Sequence, residues 1–283
     1  MRPRKTVMTH FYIRRMLRLL PLYYAVLSAA TLLKINNWPL HIGWHVFYAS
    51  NVCYLLAPRW ATPIGHFWTL AVEEQFYLLW PFVVLYSSEK TFIRFLFAII
   101  ISAVAWRFIG KMVFPVEHYY IFTLGSFDSL AIGGLLAFAA HQSKFAAVVA
   151  RWSSVATRVS GAFVAVDLLG LMPHSLWPLA YLFQSIVFAR VVELAAERGF
   201  HGLPGAVLSS NALCYIGKIS YGLYLFHNFA SIPTKIFLGC FPFLKLIPAN
   251  ILVLNFAITM VAASCSWYCF ERPILKLKRF VPM

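Results

Sequence analysis

The sequence predicts an all-α fold, a polytopic integral membrane helical bundle of about eight transmembrane helices plus one re-entrant or interfacial segment. Three observations predict it: an apolar composition, apolar runs of membrane length, and basic residues near both ends of the chain. Apolar residues make up 61% of the 283 residues and charged residues 12%, with a mean hydropathy of +0.74. Soluble proteins carry about 25% charged residues, so this composition excludes an ordinary soluble domain. No polar segment is long enough to fold separately, and residues 1–283 are predicted to form a single membrane domain.

Apolar runs close to the roughly 20 residues that a bilayer requires give the predicted spans in order. They lie at about 16–33, 66–87, 92–114, 120–140, 155–172, 175–195, 216–238 and 247–270. A further run at about 40–57 is rich in histidine and aromatic residues, and it is predicted to lie in or re-enter the outer interface. Eight crossings leave both ends of the chain on one side of the membrane, whereas nine would separate them.

The charge pattern sets the predicted orientation. Lys and Arg number 24 against 9 Asp and Glu, and the net charge is +15. Basic segments remain on the cytoplasmic side of a membrane, where anionic lipid attracts them. The chain is therefore predicted to be a multi-pass protein of the inner (plasma) membrane with both termini in the cytoplasm. Membrane lipid, and not nucleic acid, is the expected partner of the basic ends.

The stretch "HFWTLAVEEQFYLLWPF", residues 66–82, places ionisable groups in a predicted span. At helical spacing His66, Thr69, Glu73, Tyr77 and Trp80 share one face, which is expected to point into the bundle or a water-filled cavity. His66 would lie at the outer lip and Glu73 about 10 Å deeper, while Glu74 projects about 100° away. A charged group at the bilayer centre costs about 2.5–3.5 kcal/mol, which favours a functional carboxylate. A structural carboxylate, paired with an Arg or Tyr of a neighbouring helix, is the alternative.

Several blocks of the chain resemble one known family. They are "FYIRRMLRLLPLYY", "HFWTLAVEEQFYLLWP", "FDSLAIGGLLAF", "ISYGLYLFH" and "ERPILKLKRF". In this order they resemble membrane acyltransferase family 3, the O-acetyltransferases of the OafA/YrhL type. The resemblance implies an all-helical membrane enzyme that takes an acyl group, commonly acetyl, from cytoplasmic acyl-CoA, with no tightly bound cofactor. The implied acceptor is a hydroxyl of an extracytoplasmic carbohydrate or cell-surface glycan: a surface polysaccharide, lipopolysaccharide or peptidoglycan, or sometimes a macrolide.

The chain departs from the family at its N-terminus. The family that this chain resembles begins with two further helices. The first of them carries an Arg and, about three turns on, a His assigned to catalysis. This sequence opens at the basic "FYIRRMLR" segment, and His10 does not replace that histidine because it precedes the span on the cytoplasmic side. A wrongly assigned start codon or a truncated gene is the expected explanation, and a functioning shorter variant is the other.

The arginines Arg14, Arg15 and Arg18 are candidates for binding acyl-CoA. Arg14 and Arg18 are one helical turn apart on one face, Arg15 is beside them, and guanidinium groups suit phosphate oxygens. Positive-inside anchoring alone would also explain them, and the family pattern favours binding. Glu271 is expected either to pair with one of these arginines or to cap the end of the last span.

Glu73 and His227 are the candidate catalytic residues. Glu73 would orient or activate the acceptor hydroxyl. His227, in "ISYGLYLFHNF", is expected near mid-membrane on a span running outward, and the family carries a His in this block. A histidine hydrogen-bonded in an aromatic core is the alternative. Further substrate-binding candidates lie in the same stretch as Glu73, namely His66, Trp68, Glu74 and Tyr77.

The remaining polar, aromatic and cysteine residues are assigned to acceptor stacking, helix packing or the buried core. Acceptor stacking is expected on Trp38, Trp44, Trp60 or Trp68, and no spacing among His41, His45 and His66 resembles a metal site. Asp128 is assigned to structure or to the channel wall, and Ser129, Gly133 and Ala137 are expected to form a helix-packing seam. The cysteines are predicted to be buried thiols: Cys53, Cys214, Cys240, Cys265 and Cys269.

A second class of function remains open at this point. An inactive truncated remnant, or a non-enzymatic membrane carrier of a lipid or sugar, would use the same polar cavity without catalysis. The DNA upstream of Met1 separates the alternatives. An in-frame extension that encodes an apolar helix with Arg and His supports the enzyme, and a stop codon supports the remnant.

Overall fold

The computed structural model describes residues 3–33, 35, 42–56, 63–114, 118–141, 143–197, 200–241 and 248–281. Across these ranges the regular structure is helical, without a strand. In chain order the helices are α1 (Arg4–Leu32), α2 (Ile42–Val46), α3 (Ser50–Leu56), α4 (Trp68–Tyr86), α5 (Glu89–Val113), α6 (Thr123–His141), α7 (Ser143–Leu168), α8 (Ala180–Glu197), α9 (Gly202–Leu208), α10 (Asn211–Phe226), α11 (Ser231–Cys240), α12 (Pro248–Ser266) and α13 (Arg272–Leu275). Short 3-10 turns lie at Gly65–Phe67, Tyr119–Ile121, His174–Leu179 and Lys276–Phe280, and Trp267–Glu271 forms a π-helical turn.

Four helical segments of the described chain are long and apolar enough to cross a membrane. They are Glu89–Val113, Thr123–Ala140, His174–Ala196 and Ala249–Phe280. These segments contain most of the predicted spans 92–114, 120–140, 175–195 and 247–270. The helical fold is confirmed over the described residues, where four segments are suited to crossing a membrane, and the number of eight crossings stays a prediction.

The chain divides into two compact units. The first comprises Met1–Phe47, Trp60–Phe67 and Val207–Met283, and the second comprises Tyr48–Arg59 and Trp68–Ala206. The prediction of a single membrane domain stays a prediction.

The first unit packs aromatic and small residues of α1 and α10 to α12. Tyr23 and Phe67 are fully buried with their ring centroids 5.1 Å apart, and the Tyr23 hydroxyl donates to the carbonyl of His45 over 2.8 Å. At Gly222 a Cβ atom would lie 3.2 Å from the Cβ of Ala263, so glycine permits the close approach of α10 and α12. Burial of these rings and this close helix contact hold the unit together.

The predicted span 216–238 is wrong as a continuous helix. Helix α10 ends at Phe226, His227 caps it, and α11 begins at Ser231. Pro233 explains the break, because its ring would clash with the carbonyl of Phe229 in an unbroken helix. Proline is tolerated in the first turn of a new helix, which is where Pro233 lies.

The second unit is built on the packing of α5 against α6. Phe92, Leu96 and Ala131 form its buried apolar cluster, and Trp80 of α4 packs against them. At Gly134 a Cβ atom would lie only 2.5 Å from the Trp80 ring, so the helices require glycine there.

The predicted packing seam on α6 is wrong in the described part of the chain. Ser129, Gly133 and Ala137 are exposed, and a Cβ atom at Gly133 would meet nothing within 4 Å. The face carrying Ala131 and Gly134 packs instead, because it is the one that fits the bulky Trp80 ring. Small residues at a spacing of four mark a face that allows close approach but do not require a partner on it.

Two further expectations need correction. His66 lies in the 3-10 turn Gly65–Phe67, before α4 begins at Trp68, so it does not share a helical face with Glu73. Cys53 is buried as predicted, but the other thiols are exposed, at Cys214, Cys240, Cys265 and Cys269. On a membrane helix an exposed side chain faces lipid, and a thiol is apolar enough to lie there.

The run at 40–57 contains α2 and α3, of 5 and 7 residues, each far shorter than a span.

Candidate functional site

A basic pocket lies beside the N-terminal half of α1 in the first unit. Its volume is about 440 Å³, and the residues lining it are Val7, His10, Phe11, Arg14, Arg15, Arg18 and Lys278. Helical spacing explains the α1 side, since residues 7, 11, 14 and 18 recur every three or four positions on one face. The closing 3-10 turn Lys276–Phe280 supplies the lysine. The structure therefore brings the three predicted arginines together around one cavity.

The polar contacts of this pocket leave it strongly positive. Arg14 donates from Nη1 to the carbonyl of Val281 over 2.9 Å, which ties α1 to the end of the chain. Arg18 is exposed and lies within electrostatic range of Glu271 and Lys278. The described residues that line the pocket include three arginines and a lysine and no carboxylate, and a cavity with such a lining attracts polyanions such as phosphates.

Glu271 supports the pocket from behind. Its side chain is buried, Oε1 accepts a hydrogen bond of 3.0 Å from Oγ of Ser266, and the same oxygen packs on Gly222 of α10. The π-helical turn Trp267–Glu271 inserts one extra residue per turn and so directs this carboxylate inward. Glu271 lies within electrostatic range of Arg18 but forms no direct ion pair with it, so pairing with an arginine and capping of the last span both stay predictions.

A histidine cluster stands at the end of α10 in the same unit. The rings of His66 and His227 have centroids 4.4 Å apart at an interplanar angle of 62°. Tyr224 donates from its hydroxyl to the carbonyl of His66 over 2.7 Å, and the Asn228 amide lies 2.8 Å from His66 Nδ1. Two predicted site residues, one from each half of the chain, are therefore neighbours.

Backbone contacts orient both imidazole rings. Nδ1 of His66 lies 2.9 Å from the carbonyl of Pro63, and Nδ1 of His227 lies 2.7 Å from the carbonyl of Tyr224. A carbonyl only accepts, so in the neutral rings Nδ1 carries the hydrogen and Nε2 has the lone pair. With that tautomer the side-chain oxygen of Asn228, and not its nitrogen, is the group that suits His66 Nδ1. In each ring Nε2 is then the nitrogen with basic character, and that of His66 is buried while His227 is exposed.

The remaining predicted site residues lie on α4 in the second unit. Glu73 is exposed, and Glu74, Tyr77 and Trp68 are half-buried. The packed face of α4 consists of Leu70, Ala71, Val72 and Phe76, and at 100° per residue Glu73 falls outside it. The expectation that Glu73 points into the bundle is therefore not met among the described residues. The ring of Trp68 contacts that of Tyr120, with centroids 6.1 Å apart.

Two buried polar networks of the second unit were missed by sequence reasoning. Gln75 donates to the carbonyl of Tyr48 over 2.7 Å and to Oδ1 of Asn51 over 3.0 Å, and both Asn51 and Gln75 bond to Thr123. Tyr48 has a positive φ of 51°, a strained conformation that this bond to its carbonyl fixes. Tyr48 precedes α3, Asn51 lies in the first turn of α3, Gln75 lies within α4 and Thr123 begins α6, so only tertiary packing brings them together.

The second network is an ion pair. Arg107 and Asp128 are almost fully buried, and Nη2 donates to Oδ2 over 2.7 Å. Arg107 also donates from Nε to the carbonyl of Pro178 and from Nη1 to that of Gly125, each over 2.7 Å. Asp128 is therefore a structural residue, which was one of the two assignments left open.

Other sequence-predicted residues divide as follows. Trp44 is exposed and His45 is buried, while Trp38, His41 and Trp60 lie outside the described residues. His10 and Lys278 were missed as parts of the basic pocket, although His10 stands one turn before Arg14. Tyr224 and Asn228 were missed as hydrogen-bond partners of His66, and no local pattern signals such a long-range contact.

Comparison with known proteins identifies a family and several relatives. Residues 1–270 match the family model described as an acyltransferase domain. The chain is 26% identical over 302 residues to a peptidoglycan O-acetyltransferase, OatA, of Listeria monocytogenes, a match that covers 94% of this chain and 46% of the relative. It is 27% identical over 266 residues to an O-acetyltransferase OatA of Staphylococcus aureus, covering 88% of this chain and 41% of the relative. The chain thus spans less than half the length of these relatives. No solved structure matches it.

Proposed function

Because the chain belongs to the family of acyltransferase domains, membrane acyltransferase family 3, we propose that it is a membrane O-acyltransferase. Its donor would be cytoplasmic acyl-CoA, its acyl group acetyl, and its acceptor a hydroxyl of an extracytoplasmic glycan. The Listeria relative is named for peptidoglycan, which favours a cell-wall glycan over lipopolysaccharide as the acceptor class.

The basic pocket is the observation that carries this proposal. Acyl-CoA is an anionic nucleotide thioester that cannot cross lipid, so a membrane enzyme must hold its phosphates at the inner face. Arg14, Arg15 and Arg18 line a cavity of about 440 Å³ with Lys278. Guanidinium groups bind phosphate oxygens in a bidentate manner, and the lysine adds a point charge.

Helix α10 connects the neighbourhood of this pocket to the histidine cluster within the first unit. The Tyr221 hydroxyl of α10 donates to the carbonyl of Leu19 over 2.7 Å, just beyond Arg18 on α1. His227 follows Tyr221 by six residues, about 9 Å along the helix at 1.5 Å per residue. An extended pantetheine arm spans that distance, so phosphates at the arginines leave the thioester near His227.

The proposed chemistry uses His227 as general base. The acceptor hydroxyl gives its proton to Nε2 of His227 while its oxygen bonds to the carbonyl carbon of the thioester. The carbon–sulfur bond then breaks, and the CoA thiolate leaves and takes the proton back from the imidazolium. Tyr224 and Asn228 hold His66 against His227, and the second imidazole is proposed to help place the acceptor hydroxyl.

Glu73 is a separate proposal, carried by the family block "HFWTLAVEEQFYLLWP" and by the cost of a carboxylate in lipid. It would activate or orient the acceptor, with Glu74, Trp68 and Tyr77 contributing to substrate binding. We expect Glu73→Gln to abolish acyl transfer and leave expression intact. Glu89→Gln, at an exposed glutamate that begins α5, is the matched control. A wild-type rate of acyl transfer in the Glu73 variant would show that this residue takes no part in the reaction.

The topology that goes with this function is also proposed. It has about eight crossings, both termini in the cytoplasm, and a location in the inner (plasma) membrane. Under this topology the basic pocket faces the cytoplasm and the acceptor reaches the enzyme from outside.

The test is acyl transfer by the full chain in membranes. Membranes that contain the protein receive acetyl-CoA labelled in the acetyl group together with a cell-wall glycan, and labelled glycan is measured. The proposal predicts labelled ester in wild-type membranes and a loss of at least about 100-fold with His227→Gln, the size expected for a general base. An absence of labelled ester from wild-type membranes that hold the folded protein would contradict the enzymatic function and favour a remnant or carrier.

A further inference from the structure

A second cavity lies in the second unit, beside the buried Arg107. Its volume is about 390 Å³, within the usual range for small-molecule sites of about 300–1,000 Å³. The residues lining it are Arg107, Tyr119, Tyr120, Asp167, Trp177, Pro178, Ala180, Tyr181 and Gln184.

Aromatic rings form one wall of this cavity. Tyr120 and Tyr181 are stacked, with centroids 5.7 Å apart and planes inclined by 22°. Trp177 is 37% exposed and packs against the His174 ring at 4.1 Å. The exposed part of the Trp177 ring offers a flat apolar surface to a ligand.

The base of the cavity is rigid. Arg107 lies under the Tyr181 ring, 5.7 Å from its centroid, and its hydrogen bonds join α5 to Pro178, Gly125 and Asp128. All three guanidinium nitrogens are engaged in these bonds, and the charge is neutralised by Asp128. Arg107 therefore sets the shape of the cavity and does not attract an anion to it.

Two polar side chains of the cavity are available to a ligand. Within the described residues the carboxylate of Asp167 and the amide of Gln184 form no side-chain hydrogen bond or ion pair, and both are half-buried. A carboxylate accepts from hydroxyl groups, and an amide both donates and accepts. The negative charge of Asp167 disfavours the phosphates of acyl-CoA, so this cavity differs in chemistry from the basic pocket.

The ligand that fits this combination is a neutral sugar. A sugar ring has an apolar C–H face, which stacks on an aromatic ring, and an edge of hydroxyl groups, which bond to a carboxylate and an amide. In the predicted topology the second half of α5, the end of α7 and the start of α8 lie toward the outer face, where a glycan would arrive.

We propose that this cavity binds one sugar residue of the glycan acceptor, with Trp177 as the stacking surface and Asp167 and Gln184 as hydrogen-bonding groups. This inference rests on the proposed function and specifies where the acceptor chain is held. Because the site holds a sugar and not the reacting hydroxyl, its residues are expected to act on the KM for the acceptor and not on the KM for acyl-CoA.

The test measures glycan binding and acyl transfer separately, on the purified full chain in nanodiscs. The probe is a soluble glycan fragment prepared from peptidoglycan, and the variants are Asp167→Asn, Gln184→Ala and Trp177→Leu. The matched control is Phe188→Leu, an exposed aromatic residue of the same helix as Gln184 that does not line the cavity. Losing one hydrogen bond of about 1 kcal/mol lowers affinity about fivefold, so Gln184→Ala is expected to weaken glycan binding and raise the acceptor KM by about that factor. Asp167→Asn replaces a charged acceptor with a weaker neutral one, and Trp177→Leu removes the stacking surface, so both are expected to act in the same direction.

The outcomes are distinguishable. An unchanged affinity in folded Asp167→Asn and Trp177→Leu, or binding reduced equally by Phe188→Leu, overturns the sugar site. Failure of acyl transfer in the wild type, together with glycan binding that depends on Asp167, overturns the proposed function and supports the sugar site. Absence of any glycan binding by the folded wild-type protein overturns the sugar site whatever the acyl transfer shows.

Discussion

Arg107 and the arginines of the basic pocket have opposite surroundings. In the second unit Arg107 is fully buried, bonded through three nitrogens and paired with Asp128 at 2.7 Å. In the first unit Arg14 and Arg18 line an open cavity with Lys278, and Glu271 is the acidic residue nearby. An arginine whose donors and charge are satisfied internally stabilises the fold, whereas a cluster with excess charge beside a cavity is suited to an anionic ligand.

The comparison predicts different responses to mutation. Loss of the buried pair should act on the free energy of unfolding, and loss of the open cluster should act on donor affinity. The following changes test that division, beginning with the largest expected effect.

Asp128→Ala should be strongly destabilising. It leaves the Arg107 guanidinium buried without its counter-charge, and breaking a buried pair in this way costs about 3–5 kcal/mol. Thermal unfolding of the purified protein measures the loss. The control is Glu193→Ala, which breaks the pair of Glu193 with Arg190, three residues apart on α8. The Arg190 side chain is 21% exposed, so water can solvate the cation that is left, and the loss should be smaller than that of Asp128→Ala. Equal losses in the two variants would show that complete burial of the remaining cation does not set the cost.

Gly134→Ala should destabilise the second unit by about 1–3 kcal/mol, the usual cost of overpacking. The added Cβ would approach the Trp80 ring to 2.5 Å, and α6 would have to shift. Gly133→Ala is the adjacent control, because no atom lies within 4 Å of its Cβ position. There alanine should be neutral or should stabilise by up to about 1 kcal/mol through helix propensity. A larger loss at Gly133 than at Gly134 would contradict the observed packing face.

Salt should separate the two arginine groups. Raising ionic strength from about 0.05 M to 0.5 M shortens the Debye length severalfold, and it should weaken acyl-CoA binding on the order of tenfold. The difference in unfolding free energy between wild type and Asp128→Ala should hardly change, since buried charges are poorly screened. Donor affinity that does not depend on salt would argue against phosphate contacts in the basic pocket.

Arg18→Ala should leave stability within about 0.5 kcal/mol of the wild type, as is usual for an exposed position. Chemical denaturation in detergent checks this value. A loss as large as that of Asp128→Ala would mean that Arg18 is also a structural residue.

The sequence predicts some of these features and not others for physical reasons. The length of the apolar runs predicts the membrane character and the positions of most long helices, because the bilayer fixes that length. Arg14 and Arg18 are predicted together because one helical turn separates them. The break after His227 follows from Pro233, a local signal that the apolar run obscures.

Contacts between residues that are distant in the chain could not be predicted from the sequence. His66 and His227 were each chosen as site residues, but their contact depends on how α10 packs against the turn Gly65–Phe67. Arg107 stands inside an apolar run with nothing beside it in the sequence to indicate its pairing with Asp128. The face of α6 that packs was predicted wrongly, because the shape of the Trp80 ring decides it and helical spacing does not.

The most direct test of the central claim is the apparent KM for acyl-CoA in the double variant Arg15→Ala with Arg18→Ala. The control is Lys90→Ala with Arg94→Ala, which removes the same charge from two exposed positions of α5. If the basic pocket binds the nucleotide phosphates, the KM rises about tenfold or more in the first variant and stays near wild type in the control. An unchanged KM in the first variant would assign these arginines to membrane topology alone and would contradict the account.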